Sequence, residues 1–202
     1  MWNLLKSELL KLRRCQILCV GLVALALCPL VQYGSQLIVD HIGLADLEQE
    51  FDVHIITQNI DNLHERAGSS HVIHLHGELL KACSIRDLNT TYDISPENPD
   101  LHIGDKDPHG VQLRPFIVWF GEAVPMIDPA IRLVEDCDIF VVIGTSLNVY
   151  PAAGLLNYVR HGQTIYLIDP KEVKAYRNDI RFIRKGASEG VKELKELLLQ
   201  NH

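Results

Sequence analysis

A chain of 202 residues, 47% of them apolar, suffices for one domain with a small inserted module and excludes a disordered or low-complexity protein. A formal charge of −7 argues against a duplex-DNA footprint, so no nucleic-acid partner is expected. Five cysteines at positions 15, 19, 28, 83 and 137, with no C-x-x-C pair, fit neither a disulfide framework nor a four-cysteine zinc site, and no metal is expected.

Residues 1–39 read as a hydrophobic N-terminal segment distinct from the rest of the chain. Lys6, Lys11, Arg13 and Arg14 outweigh Glu8 there, and no charged side chain occurs between Arg14 and Asp40. The run Cys15 to Val31 is apolar except for Gln16. A basic flank before such a run fits an anchor or a short membrane span. It fits equally well a strand or helix buried in the domain's own core, because periodicity does not separate these. Membrane contact through 15–31 therefore stands as a second reading beside a cytoplasmic location, which the free thiols suit.

From Asp40 the pattern is α/β, and it implies a Rossmann-like parallel sheet. Residues 41–50 read as the end of a helix. Short apolar strands are expected at 53–56, 139–143 and 164–168, with helical stretches at about 127–136, 150–161 and 188–200 between and after them. Each strand stops in polar or small residues: Thr57-Gln58-Asn59, Gly144-Thr145-Ser146 and Asp169-Pro170. Ligands of open α/β sheets bind beyond the carboxyl ends of the strands, so these three ends together favour a nucleotide site. Gly144 permits close backbone approach, Thr145 and Ser146 offer hydroxyls, and Asp169 can accept from a ribose hydroxyl. No G-x-G-x-x-G phosphate loop accompanies them.

His71, His74 and His76 cluster in Ser70-His71-Val72-Ile73-His74-Leu75-His76-Gly77. If the segment is extended, His74 and His76 share a face with Val72. Imidazole titrates near neutrality and suits a general base, while hydrogen-bonded or solvated histidines are the plainer reading. Residues 84–114 are polar and turn-rich and read as a lid or small module. The run Arg114 to Glu122 is β-prone and aromatic. As an exposed edge it can pair with an extended peptide, with Trp119 and Phe120 walling an apolar slot.

These segments, in this order, resemble the sirtuin family of NAD-dependent protein deacylases. The resemblance rests on Thr57-Gln58-Asn59-Ile60-Asp61-Asn62-Leu63-His64-Glu65-Arg66-Ala67-Gly68, His74-Leu75-His76-Gly77, Pro115 to Glu122, Gly144-Thr145-Ser146-Leu147 and Val149-Tyr150-Pro151-Ala152. It runs from about residue 40 to the end of the chain. It implies a catalytic domain over 40–202 with a small lid module at about 78–116. It also implies NAD as co-substrate and an acylated lysine of a protein or peptide as the partner.

Position by position, the resemblance makes His76 the catalytic base, acting on a hydroxyl of the nicotinamide ribose while the acyl oxygen attacks the sugar. Nicotinamide leaves, and water releases lysine and an O-acyl-ADP-ribose. Gln58, Asn59 and Asp61 match the nicotinamide-ribose pocket. Gly144, Thr145 and Ser146 match the adenosine-side loop. Asp169 stands where many relatives carry asparagine, and Ala187 comes after Gly186 in a softer match to the adenine-contacting turn. Val118, Trp119, Gly121 and Glu122, with Phe120, match the strand that pairs with the substrate peptide.

The chain departs from the family in two places. The N-terminal G-A-G-x-S…G-I-P-x-F-R region has no counterpart in residues 1–39, which fits a divergent, truncated or frameshifted opening, and the sheet is expected to be incomplete. The four zinc cysteines are also missing, so packing and hydrogen bonding must hold the module together. A catalytically impaired remnant acting as a binding module, or an ADP-ribosyltransferase using the same pocket, are the alternatives.

Overall fold

The computed structural model describes residues 16–21, 41–95, 97–144, 152–173 and 176–200. In chain order the strands are β1 (Gln16–Gly21), β2 (Asp52–Thr57), β3 (Val72–His74), β4 (Gly77–Ser84), β5 (Thr91–Asp93), β6 (Leu113–Ile117), β7 (Ile139–Ile143), β8 (Thr164–Ile168) and β9 (Ile180–Ile183). The α-helices with defined ends are α1 (Leu63–Arg66), α2 (Ile127–Asp136) and α3 (Ala187–Gln200). Two sheets result: a parallel one in the order β3-β2-β1-β7-β8-β9, and an antiparallel one in the order β5-β4-β6.

The parallel sheet is buried on both faces, which is why its strands read as unbroken apolar runs. Alternate side chains divide between two layers. Ile56, Phe140, Val142, Ile165 and Leu167 pack with Ala130 and Val134 of α2 and with Leu155 and Leu156. Val53, Ile55, Val141, Tyr166 and Ile168 pack on the other side with Leu44, Leu47 and the α3 residues Val191, Leu194 and Leu198. Each fully buried Leu or Ile contributes about 2 kcal/mol by its removal from water.

The first departure from expectation concerns the opening segment. Gln16–Gly21 is not separate from the domain: its backbone pairs with β2 on one side and β7 on the other. Its apolar run is what the middle of a parallel sheet requires, so the boundary expected at residue 39 does not set it apart. The rest of the 15–31 run, on which the membrane reading falls, lies outside the described residues. Among the described residues, no helix is long and apolar enough to cross a membrane.

Smaller differences concern helix type. Residues 41–45 are helical, and a 3-10 helix, Asp46–Gln49, comes next. The helix expected at 150–161 is a 3-10 helix, Ala152–Tyr158. The inserted module is framed by β4 and β6, so its sheet runs from residue 77 to 117, one residue beyond the expected span at either end.

The topology fixes where a ligand can sit. From β1 the chain moves to one side for β2 and β3, passes through the small sheet, and returns on the other side of β1 as β7. The strand order thus reverses at β1, and the crevice outside the carboxyl ends there is the expected binding place. The register makes those ends level: His74 lies beside Thr57, Thr57 beside Gly21, Gly21 beside Ile143, and Ile143 beside Ile168. Five strands at about 4.8 Å spacing span roughly 19 Å, a length that suits an extended dinucleotide.

Candidate active site

The turn after β3 builds the site. Gly77 has φ +84°, and a Cβ there would overlap the carbonyl oxygen of Phe116, so only glycine fits. Leu75 and His76 form a turn rather than a continuing strand, which separates the two histidines expected to share a face. His74 is buried; His76 is half-buried. The Nδ1 of His76 lies 3.1 Å from the carbonyl oxygen of Gln58. A carbonyl only accepts, so Nδ1 carries the proton, and the Nε2 lone pair is left for chemistry.

The loop that orients His76 is itself held from below. His74 Nδ1 donates to the carbonyl of Asn59 at 2.7 Å, and its Nε2 lies 2.9 Å from the Glu65 carboxylate. The Asn59 N–H donates to Thr57 Oγ1 at 3.1 Å. Asp61 Oδ1 accepts from the N–H of Leu63 at 3.1 Å and so starts α1. Gln58 and Asn59 are buried, and Gln58 Nε2 has no protein partner. A buried donor left unpaired is what a ligand oxygen would satisfy. Beneath this loop the buried His64 ring meets His41 edge-on at 4.2 Å. Burial, then the proximity of His41 and His74, pushes His64 down to about 3 and keeps it neutral.

The expected adenosine side lies along the same rim. Gly144 ends β7 with φ +65°, and its N–H donates to the Ile168 carbonyl at 3.0 Å. Asp169, half-buried at the end of β8, accepts from the N–H of Lys171 through Oδ1 at 2.7 Å. Ala187 begins α3 and packs partly against the core. Thr145 and Ser146 lie outside the described residues.

On the peptide side the expectation needs correction. The strand does not run through Glu122; β6 stops at Ile117, and residues 118–122 turn. Glu122 is bonded within that turn. Its two oxygens take the Arg114 guanidinium at 2.6 and 2.9 Å, and Oε2 also accepts from the N–H of Trp119. This clasp holds the Glu122 carboxyl down to about 2. Gly121, at φ +89°, lets the chain close that turn. Trp119 is half-exposed and Phe120 fully exposed at its tip. Val118 joins the site directly, since its N–H donates to the His76 carbonyl at 2.9 Å.

The sequence named His76, Gln58, Asn59 and Val118 as candidates, and the structure brings these residues together. Sequence reading missed Glu65, the supporting part that His74 plays under the loop, and the Arg114–Glu122 clasp. Glu65 falls within the motif already quoted, and its place nine residues before His74 gave no signal that the two meet.

The comparisons agree with this architecture. The Sir2 family model matches residues 29–151. An NAD-dependent protein deacylase of Bacteroides thetaiotaomicron is 63% identical over 163 residues, covering 79% of this chain and 70% of that protein. One from Helicobacter pylori is 46% identical over 161 residues, covering 79% and 69%. Among solved structures, a Sir2 homologue–NAD complex superposes with a TM-score of 0.68 at 28% identity, covering 92% of this chain and 90% of that one. A Sir2–p53 peptide–NAD+ structure gives 0.66 at 26% identity, covering 95% and 96%. A parallel sheet whose strand order reverses at a polar rim, a histidine with its proton fixed on Nδ1, and a family match over most of the chain converge on one conclusion: the chain belongs to the Sir2 family of NAD-dependent protein deacylases.

Proposed function

We propose that this chain removes acyl groups from lysines of protein or peptide substrates with NAD as co-substrate, and that His76 is the base. NAD, when bound, supplies the ribose carbon to which the acyl oxygen transfers as nicotinamide departs. The residues fit such a co-substrate. Gln58, whose carbonyl holds His76, has an unpaired buried donor in Nε2, Gly144 opens the backbone at the rim, and Asp169 keeps Oδ2 for a ribose hydroxyl. Asn59 and Asp61 stand on the nicotinamide side, and Gly144 with Ala187 on the adenosine side.

The observation that carries this reading is the 3.1 Å contact from His76 Nδ1 to the Gln58 carbonyl. It fixes the tautomer whose Nε2 lone pair can take a proton from a ribose hydroxyl. On the substrate side, Val118 and the 119–121 turn receive the peptide next to His76, and Glu122 shapes that turn through Arg114.

The test is His76→Ala. Deacylation of an acyl-lysine peptide, followed by mass spectrometry of lysine peptide and O-acyl-ADP-ribose, should fall by about two orders of magnitude or more. The circular dichroism spectrum and melting temperature should stay those of the parent, because His76 is half-buried rather than a core side chain. A variant that is folded and still fully active overturns the assignment.

A further inference from the structure

Three side chains that deacylation leaves unused meet at the opposite end of β2 and β3 from the active site. Asp52 and His54 lie two residues apart on β2, so the pleat puts them on one face. Ile55 pairs with Val72 in parallel register, and the Ile55 N–H donates to the His71 carbonyl at 2.8 Å. That register sets His71 beside His54. His54 Nε2 is 3.2 Å from Asp52 Oδ1, and the two imidazoles stack with centroids 4.8 Å apart. One ligand atom from each of the three residues falls within 4.8 Å of the others. Asp52 and His54 are half-buried and His71 is exposed, so the group is both fixed by the backbone and open to an ion.

We propose that Asp52, His54 and His71 form a binding site for a divalent transition metal of the zinc class. Two neutral imidazoles and one carboxylate are a set such ions take, with a fourth position left for water. Ligand atoms around one zinc ion stand roughly 3.3–3.6 Å apart, so atoms that now lie within 4.8 Å of one another must draw together on binding, and His71 is the exposed member of the three. The site lies three residues, about 10 Å, back along β2 from Thr57. It is therefore distinct from the His76 pocket. Bound metal would join β2 to the edge strand β3, and it would stabilise the fold by binding the native state alone.

The experiment uses the full chain stripped with a chelator and titrated with zinc chloride by calorimetry. We expect one strong site, a rise in melting temperature on adding zinc, and a visible absorption band when cobalt(II) replaces zinc. The double variant His54→Ala/His71→Ala should lose about tenfold or more in affinity, together with the thermal shift. The single variant His71→Asn, at an exposed position, should weaken binding without disturbing the fold. Cys83→Ser should bind zinc as the parent does. The proposal fails if the parent takes up no zinc, if the double variant binds as tightly as the parent, or if binding vanishes in Cys83→Ser instead.

Discussion

The two sheets of this molecule are held by different forces. The parallel sheet sits between two apolar layers, and residues such as Leu155, Ile165 and Leu194 are wholly buried. The three-stranded module has a thin interior: Leu79, Leu80 and Ile85 are exposed on or beside β4. It is tied by side chains that reach for backbone. Asp107 accepts from the N–H groups of His109 and Val111. Gln112 accepts from the Gly104 N–H and donates to the His102 and Leu113 carbonyls. Ser84 accepts from the N–H groups of Arg86 and Asp87. Burial stabilises the larger sheet without direction, whereas the module depends on bonds that each need one geometry. That is one way for a Sir2 module to keep its shape with Cys83 as the single cysteine between its outer strands.

Three perturbations separate the two regimes. The largest effect should come from Leu155→Ala in the parallel sheet's core. It should cost about 3 kcal/mol, read as a lower urea midpoint with an unchanged slope. A loss below about 1 kcal/mol would mean that the layer repacks around the hole.

Next is acid. His64 is held down to about 3, against an ordinary value near 6.5 in the unfolded chain. The unfolded state therefore takes up a proton first as pH falls, so stability is whole above about 6.5 and is lost progressively toward 3. The loss should be roughly 2 kcal/mol between pH 6.5 and 5. The variant His64→Leu should flatten that slope. An unchanged slope would assign the acid sensitivity to other groups.

The smallest effect on global stability should come from Arg114→Gln in the module. Glu122 is held near 2 by that arginine, so the clasp persists at neutral pH and opens only as pH falls toward that value. Its loss should leave the melting temperature nearly unchanged, while KM for an acyl-lysine peptide rises and the 118–122 turn becomes easier for a protease to cut. An unaltered KM would detach the clasp from substrate binding.

The same contrast decides how much of the molecule is legible in the chain alone. The strands at 53–56, 139–143 and 164–168 were legible because a doubly covered strand is an uninterrupted apolar run. Gln16–Gly21 obeys the same rule but sits in a longer apolar stretch, where nothing marks the strand's ends. Ile180–Ile183 went unread because it is an edge strand with Arg181 and Phe182 exposed. His76 was legible through its motif and Gly77, whereas its separation from His74 depends on a turn that alternation does not announce. The meeting of Asp52 and His54 with His71, 17 residues after His54 in the chain, depends on the pairing register of two strands.

The bond from Val118 to His76 couples two properties usually treated as separate. On the proposed reading, the stretch that receives the peptide also pins the backbone of the base, His76. Because that bond comes from the Val118 backbone, a substitution that shifts the chain there is expected, on the proposed reading, to move His76 as well, so selectivity and turnover would change together.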